Sequence, residues 1–125
     1  MTSFFRRGLI GHTALVVAIG IGAYAGGLPA VFGALPRLDL VMHLILIGGV
    51  AFFLDGALRH RAIFRGRGSL GGAIVIALAG AEEWAQRFSP RRSSTFSDFA
   101  ADVVGVLVFV WLARRIGRSA QRADA

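Results

Sequence analysis

Hydrophobic residues run through this chain in four blocks, divided by short polar or basic stretches. The first, Gly8 to Leu28, follows Arg6 and Arg7. Pro29 and Pro36 bracket a loop before the second, Leu38 to Leu58, which opens with Asp39 and is interrupted by His43 and Asp55. The third starts at Ser69, and its purely apolar part ends at Ala81. That part is too short to cross about 30 Å of hydrocarbon at about 1.5 Å per residue. To cross, the helix has to continue through Glu82, Glu83 and Gln86 to the neighbourhood of Phe88. Ser89-Pro90 then ends it, because proline disfavours a helical residue before it. Ser93, Ser94, Thr95 and Ser97 offer capping oxygens for a fourth helix that begins near Phe96.

The pattern predicts an all-α, single-domain protein over residues 1–125. It is a polytopic antiparallel bundle of four transmembrane helices near 8–28, 38–58, 69–88 and 96–115, with a basic tail, 114–125, frayed at its end. Arg6-Arg7, the first block and Ala23-Tyr24-Ala25 also resemble a secretory signal peptide. A run of about 20 residues is long for that role, and it reads as the first membrane helix. Its glycines, Gly22-x-x-x-Gly26 among them, suit close helix packing in lipid.

Composition supports the membrane reading. The chain is 55% hydrophobic with a mean hydropathy of +0.65, more than a core of this size could bury. There is no cysteine, so thiol chemistry is excluded, and all 14 basic side chains are arginine. A net charge of +7 raises nucleic acid as a partner. The arginines, however, cluster at the ends of apolar blocks, as topology determinants do. With four crossings, ten arginines (6, 7, 59, 61, 65, 67, 114, 115, 118 and 122) fall on the side of the termini and four (37, 87, 91 and 92) on the other. The expectation is an inner-membrane protein with both termini cytoplasmic and no nucleic-acid partner.

That topology gathers five of the seven acids at the outer face. Asp39 and His43 lie one turn apart at the start of the second helix, and Glu82, Glu83 and Gln86 end the third. Asp98 and Asp102 lie one turn apart at the start of the fourth, with Arg87, Arg91 and Arg92 in the loop between. Polar groups inside apolar spans are costly and mark functional sites. Asp55 is set apart, and an i,i+4 pair with Arg59 accounts for it. Tyr24 and Trp84 suit the outer interface and Trp111 the inner one. Phe52-Phe53 and Phe109 are suited to meet lipid, pigment or partner helices, with lipid as the default.

Asp39-x-x-x-His43, Glu83-x-x-Gln86, Pro90-x-Arg92 and Asp98-x-x-Ala101-Asp102-x-x-Gly105 together resemble the VanZ-like family of small membrane proteins. The resemblance covers about half the chain. It departs at Leu40, where the family often has lysine, and at Asp102, where it often has asparagine. It implies a four- or five-helix protein of the cell envelope, in a family named for teicoplanin resistance.

Asp39, His43, Glu82, Glu83, Gln86, Arg91, Arg92, Asp98 and Asp102 form the predicted ligand-binding set. Arg92 with Arg91 suits a phosphate, and the carboxylates and Gln86 suit sugar or peptide donors. The reading is recognition of an anionic envelope component or lipid head group. The competing reading is a small accessory subunit packed against a larger membrane complex, its polar cluster purely structural and held by Arg92 pairing with acids. Carboxylates suit Mg²⁺, Ca²⁺ or Mn²⁺, and His43 suits Zn²⁺ or Fe. No spacing specifies a metal, so no cofactor is predicted. Closely spaced carboxylates, with His43 beside them, also suit general acid–base catalysis, but there is no nucleophile elbow, phosphate loop or zinc-protease motif.

Overall fold

The computed structural model describes residues 1–27, 35, 37–90 and 95–125. Among them, four helices carry the fold: α1 (Thr2–Ala25), α2 (Leu38–Ala57), α3 (Leu70–Gln86) and α4 (Phe96–Ala123). Between α2 and α3 a short antiparallel ribbon pairs β1 (Ala62–Ile63) with β2 (Gly68–Ser69). α1, α2 and α4 are long and apolar enough to cross a membrane. At 17 residues, α3 is about 26 Å long.

The helices alternate in direction. Phe5, near the start of α1, packs on Phe52 and Gly56, near the end of α2. Further along, His12 Nε2 donates to Leu46 O at 2.9 Å. α2 and α4 run parallel, since His43 meets Asp102 and Asp55 meets Arg114. α3 opposes both, with Gly71 against Asp55 and Gly80 facing Phe99. The small core comprises Ala51, Val75, Val106 and Val110, flanked by Ile47, Val50, Leu54 and Ile76.

Glycine sets the closest approaches. A Cβ at Gly105 would overlap the Leu44 carbonyl oxygen, and one at Gly48 would stand 2.8 Å from Gly105 O. These two positions let the α2 and α4 backbones touch, the use glycine has in membrane helices. At Gly56 a Cβ would run into the Phe5 ring. Gly56→Val should therefore loosen α1 and lower stability by about 1–3 kcal/mol. Detergent-induced unfolding in mixed micelles measures this, and an unchanged midpoint would show that Phe5 is not locked there.

Several expectations change. α1 starts at Thr2, not near Gly8, so Arg6 and Arg7 are helical and Phe5 becomes the largest fully buried side chain. Gly26 is not a packing glycine but the left-handed C-cap of α1, with φ 73°. α3 stops at Gln86 because Arg87, Phe88 and Ser89 each bond back three residues, tightening the turn before Pro90. The basic tail is not frayed: α4 runs unbroken to Ala123. Arg114 is tied to Asp55, and Gly117 lies against the His60 ring. Nor are Phe52, Phe53 and Phe109 simply lipid-facing, for Phe52 and Phe53 pack on Phe5 and His12 and Phe109 covers Gly48. Pro29, Pro36, Arg91, Arg92, Ser93 and Ser94 lie outside the described residues.

Candidate functional site

The ends of α1 and α3 and the starts of α2 and α4 meet at one end of the bundle, and the acids gather there. Thr95 caps α4, its hydroxyl accepting from Asp98 N at 3.4 Å. Asp98 in that first turn is favoured by the helix dipole and is buried, as is Asp102 one turn on. His43 of α2 donates through Nδ1 to Asp102 Oδ1 at 2.9 Å, joining α2 to α4. On α3 the two glutamates part. Glu82 is exposed and accepts from Tyr24 OH at 3.1 Å and from Gln86 Nε2 at 2.5 Å, while Glu83 turns inward and is buried. Gln86 is 0% exposed, and among the described residues its Oε1 meets no donor. Leaving such an acceptor unsatisfied costs about 1–3 kcal/mol.

Between α3 and α4 a groove of about 300 Å³ opens at this end, lined by Gly80, Glu83, Trp84, Arg87, Thr95, Phe96 and Phe99. Three aromatic rings give it an apolar wall. Glu83 and Thr95 contribute oxygens, and Arg87 a guanidinium that makes no ion pair among the described residues. The missing side chain at Gly80 leaves the floor open, since a Cβ there would already reach 3.4 Å from Phe99.

The predicted site is thus reshaped. Glu83, Gln86, Asp98 and Asp102 are all buried at this end of the bundle, His43 is half-buried against Asp102, and Glu82 joins Gln86 at the edge. Asp39 stands apart, exposed and without a hydrogen bond or ion pair among the described residues. Arg91 and Arg92 lie outside the described residues. Trp84, Phe96, Phe99 and Gly80 were missed as site residues because aromatics and glycines in apolar helices read as packing.

No family model, curated protein or solved structure matches the chain. The VanZ-like resemblance therefore rests on its motif residues alone.

A second polar cluster, at the opposite end, escaped the sequence reading. Asp55, 0% exposed, does not pair with Arg59. The helix ends at Ala57, and Arg59 turns away with φ 55°, so the i,i+4 geometry is gone. Instead Asp55 accepts from His60 Nδ1 at 2.7 Å, from Ser69 Oγ and from Arg114 Nε at 3.4 Å. Serine, histidine and aspartate together invite a nucleophile reading. The bonding rejects it: Ser69 Oγ faces the carboxylate rather than the imidazole, and it also caps α3 by accepting from Gly72 N at 2.9 Å. This cluster is a clamp. Among the described residues no group of three His, Asp or Glu side chains could hold a metal ion.

Proposed function

We propose that the chain crosses the membrane four times with cytoplasmic termini, and that its outward groove binds an anionic amphiphile of the cell envelope. A lipid phosphate or a lipid-linked glycan has the required chemistry, in keeping with the VanZ-like resemblance. The alternating helix directions and the arginine asymmetry, ten against four, support this orientation. α3 gains about 6 Å from the tight turn over Arg87–Ser89 at about 2.0 Å per residue, which brings it to membrane thickness.

The observation that carries the reading is the groove itself. Its aromatic wall takes an acyl or isoprenoid chain, and the Arg87 guanidinium at its rim matches a phosphate in a bidentate geometry. Thr95 and Glu83 serve hydroxyl groups of the head. Trp84 reports occupancy once Trp111, the other tryptophan, is replaced by phenylalanine. Titrating that protein with a long-chain alkyl phosphate should shift Trp84 emission. Arg87→Ala should weaken binding about tenfold, the worth of a charge-assisted hydrogen bond, and Gly80→Leu should abolish it by filling the floor. Unchanged emission, or equal binding of the neutral alcohol of the same chain length, would overturn the reading.

A second reading draws on α1. Its apolar face, including Ile10, Leu15, Val17 and Ile21, is exposed and open to a helix of a larger complex. Stoichiometric co-purification with such a complex, unaffected by Arg87→Ala, would favour that role.

A further inference from the structure

The opposite end of the bundle has a different chemistry. Ten arginines collect there, against Asp124 and the buried, fully engaged Asp55. Among the described residues Arg114 alone of the ten makes an ion pair. Excess positive charge at a helix end is by itself only a topology signal. The connector between α2 and α3 goes further.

β1 and β2 close over Phe64–Gly66. Phe64 and Arg65 have φ of 50° and 56°, a left-handed conformation that side chains with a Cβ adopt at a cost. The result is that Phe64 is 77% exposed, with Arg61, Arg65 and Arg67 exposed beside it. The mounting is firm. Leu70 N donates to Arg61 O at 2.9 Å and His60 N to Asp55 O at 2.8 Å, while the Asp55 clamp holds the base. Strands of two residues each keep the tip within about 7 Å of the helix ends. The head-group layer is about 5–7 Å deep on each side of the hydrocarbon, so the tip stays within it.

We infer that this hairpin is a binding site for acidic phospholipids. Phe64 enters the boundary between head groups and chains, where an exposed ring gains what it would lose in water. Arg61, Arg65 and Arg67 grip the phosphodiesters, a task for which guanidinium geometry is better suited than the ammonium this chain lacks entirely. The other nine arginines of this end, which make no ion pair among the described residues, supply the complementary charge. Arg115 stacks over Trp111 at 5.2 Å on the cytoplasmic stretch of α4 and extends the same surface.

The test is native mass spectrometry of the whole protein in mixed micelles carrying phosphatidylglycerol or phosphatidylcholine. The wild type should retain phosphatidylglycerol preferentially, and rising salt should erode the preference. Arg67→Gln should lower that affinity about fivefold, and Arg61→Gln with Arg65→Gln and Arg67→Gln on the order of a hundredfold. Phe64→Ser should weaken retention with all arginines in place. Melting in phosphatidylcholine micelles checks that each variant is folded; the single substitution carries the test if the triple variant is not. Equal retention of the two lipids, arginine variants that behave like wild type, or hairpin-dependent binding of a short duplex RNA in place of acidic lipid would each overturn the inference.

Discussion

Asp55→Ala is expected to cost about 3–5 kcal/mol, the loss typical of breaking a buried ion pair. Three donors, from His60, Ser69 and Arg114, converge on one carboxylate with no exposure to solvent. Deleting it leaves the half-buried Arg114 guanidinium and His60 imidazole without their shared acceptor. The substitution also loosens the chain reversal at Arg59 and His60, where two successive residues have φ of 55° and 57°. Each such residue costs about 1–2 kcal/mol, and His60 is held there by the carboxylate and by Arg114 donating to its carbonyl oxygen at 3.5 Å. Unfolding in mixed detergent micelles gives the number. Adding Arg114→Met to Asp55→Ala should recover part of the loss, because the charge and its counter-charge leave together. A full loss that the double variant does not relieve would mean that the ion pair is not what stabilises this end.

The second large effect is expected at Gly105. Its Cβ position is filled by the Leu44 carbonyl oxygen, and a backbone atom cannot rotate aside as a side chain can. Overpacking usually costs about 1–3 kcal/mol, and Gly105→Leu should exceed that range by forcing α2 and α4 apart. Separation would also break the His43–Asp102 contact one turn away. Gly20→Leu is the matched control, since a Cβ there meets nothing within 4 Å. Loss of folded protein for Gly105→Leu with a normal yield for Gly20→Leu is the predicted outcome. Equal tolerance at both positions would contradict the close crossing.

Much of this architecture is written in the hydrophobic blocks, because a run of about 20 apolar residues has few other uses. The shared end of His43, Glu83, Asp98 and Asp102 follows from alternating helix directions, which short connections impose. What was not legible depends on contacts distant in sequence. Asp55 has an arginine four residues on, and the local rule assigns that partner; the real ones sit at 60, 69 and 114. The order of the tail was hidden for the same reason, as Arg114 and Gly117 are held by α2's end. Phe5 was overlooked beside Arg6-Arg7, since a basic pair reads as a flank. The groove's aromatic wall carried no signal because Trp84, Phe96 and Phe99 differ in no local feature from ring residues that face lipid.

In the proposed topology the two chemically different ends lie on opposite sides of the membrane, the aromatic-walled groove with Arg87 at its rim outward and the arginine-rich hairpin and α4 extension inward. The chain has no cysteine, so a single introduced thiol is the only one a maleimide can find. Ser97, in the first turn of α4, and Ser119, near its end, are both exposed. A membrane-impermeant maleimide should label Ser97→Cys in intact cells and Ser119→Cys only after permeabilisation. The reverse pattern, or both thiols reacting from outside, would contradict the orientation and remove the outward groove with it.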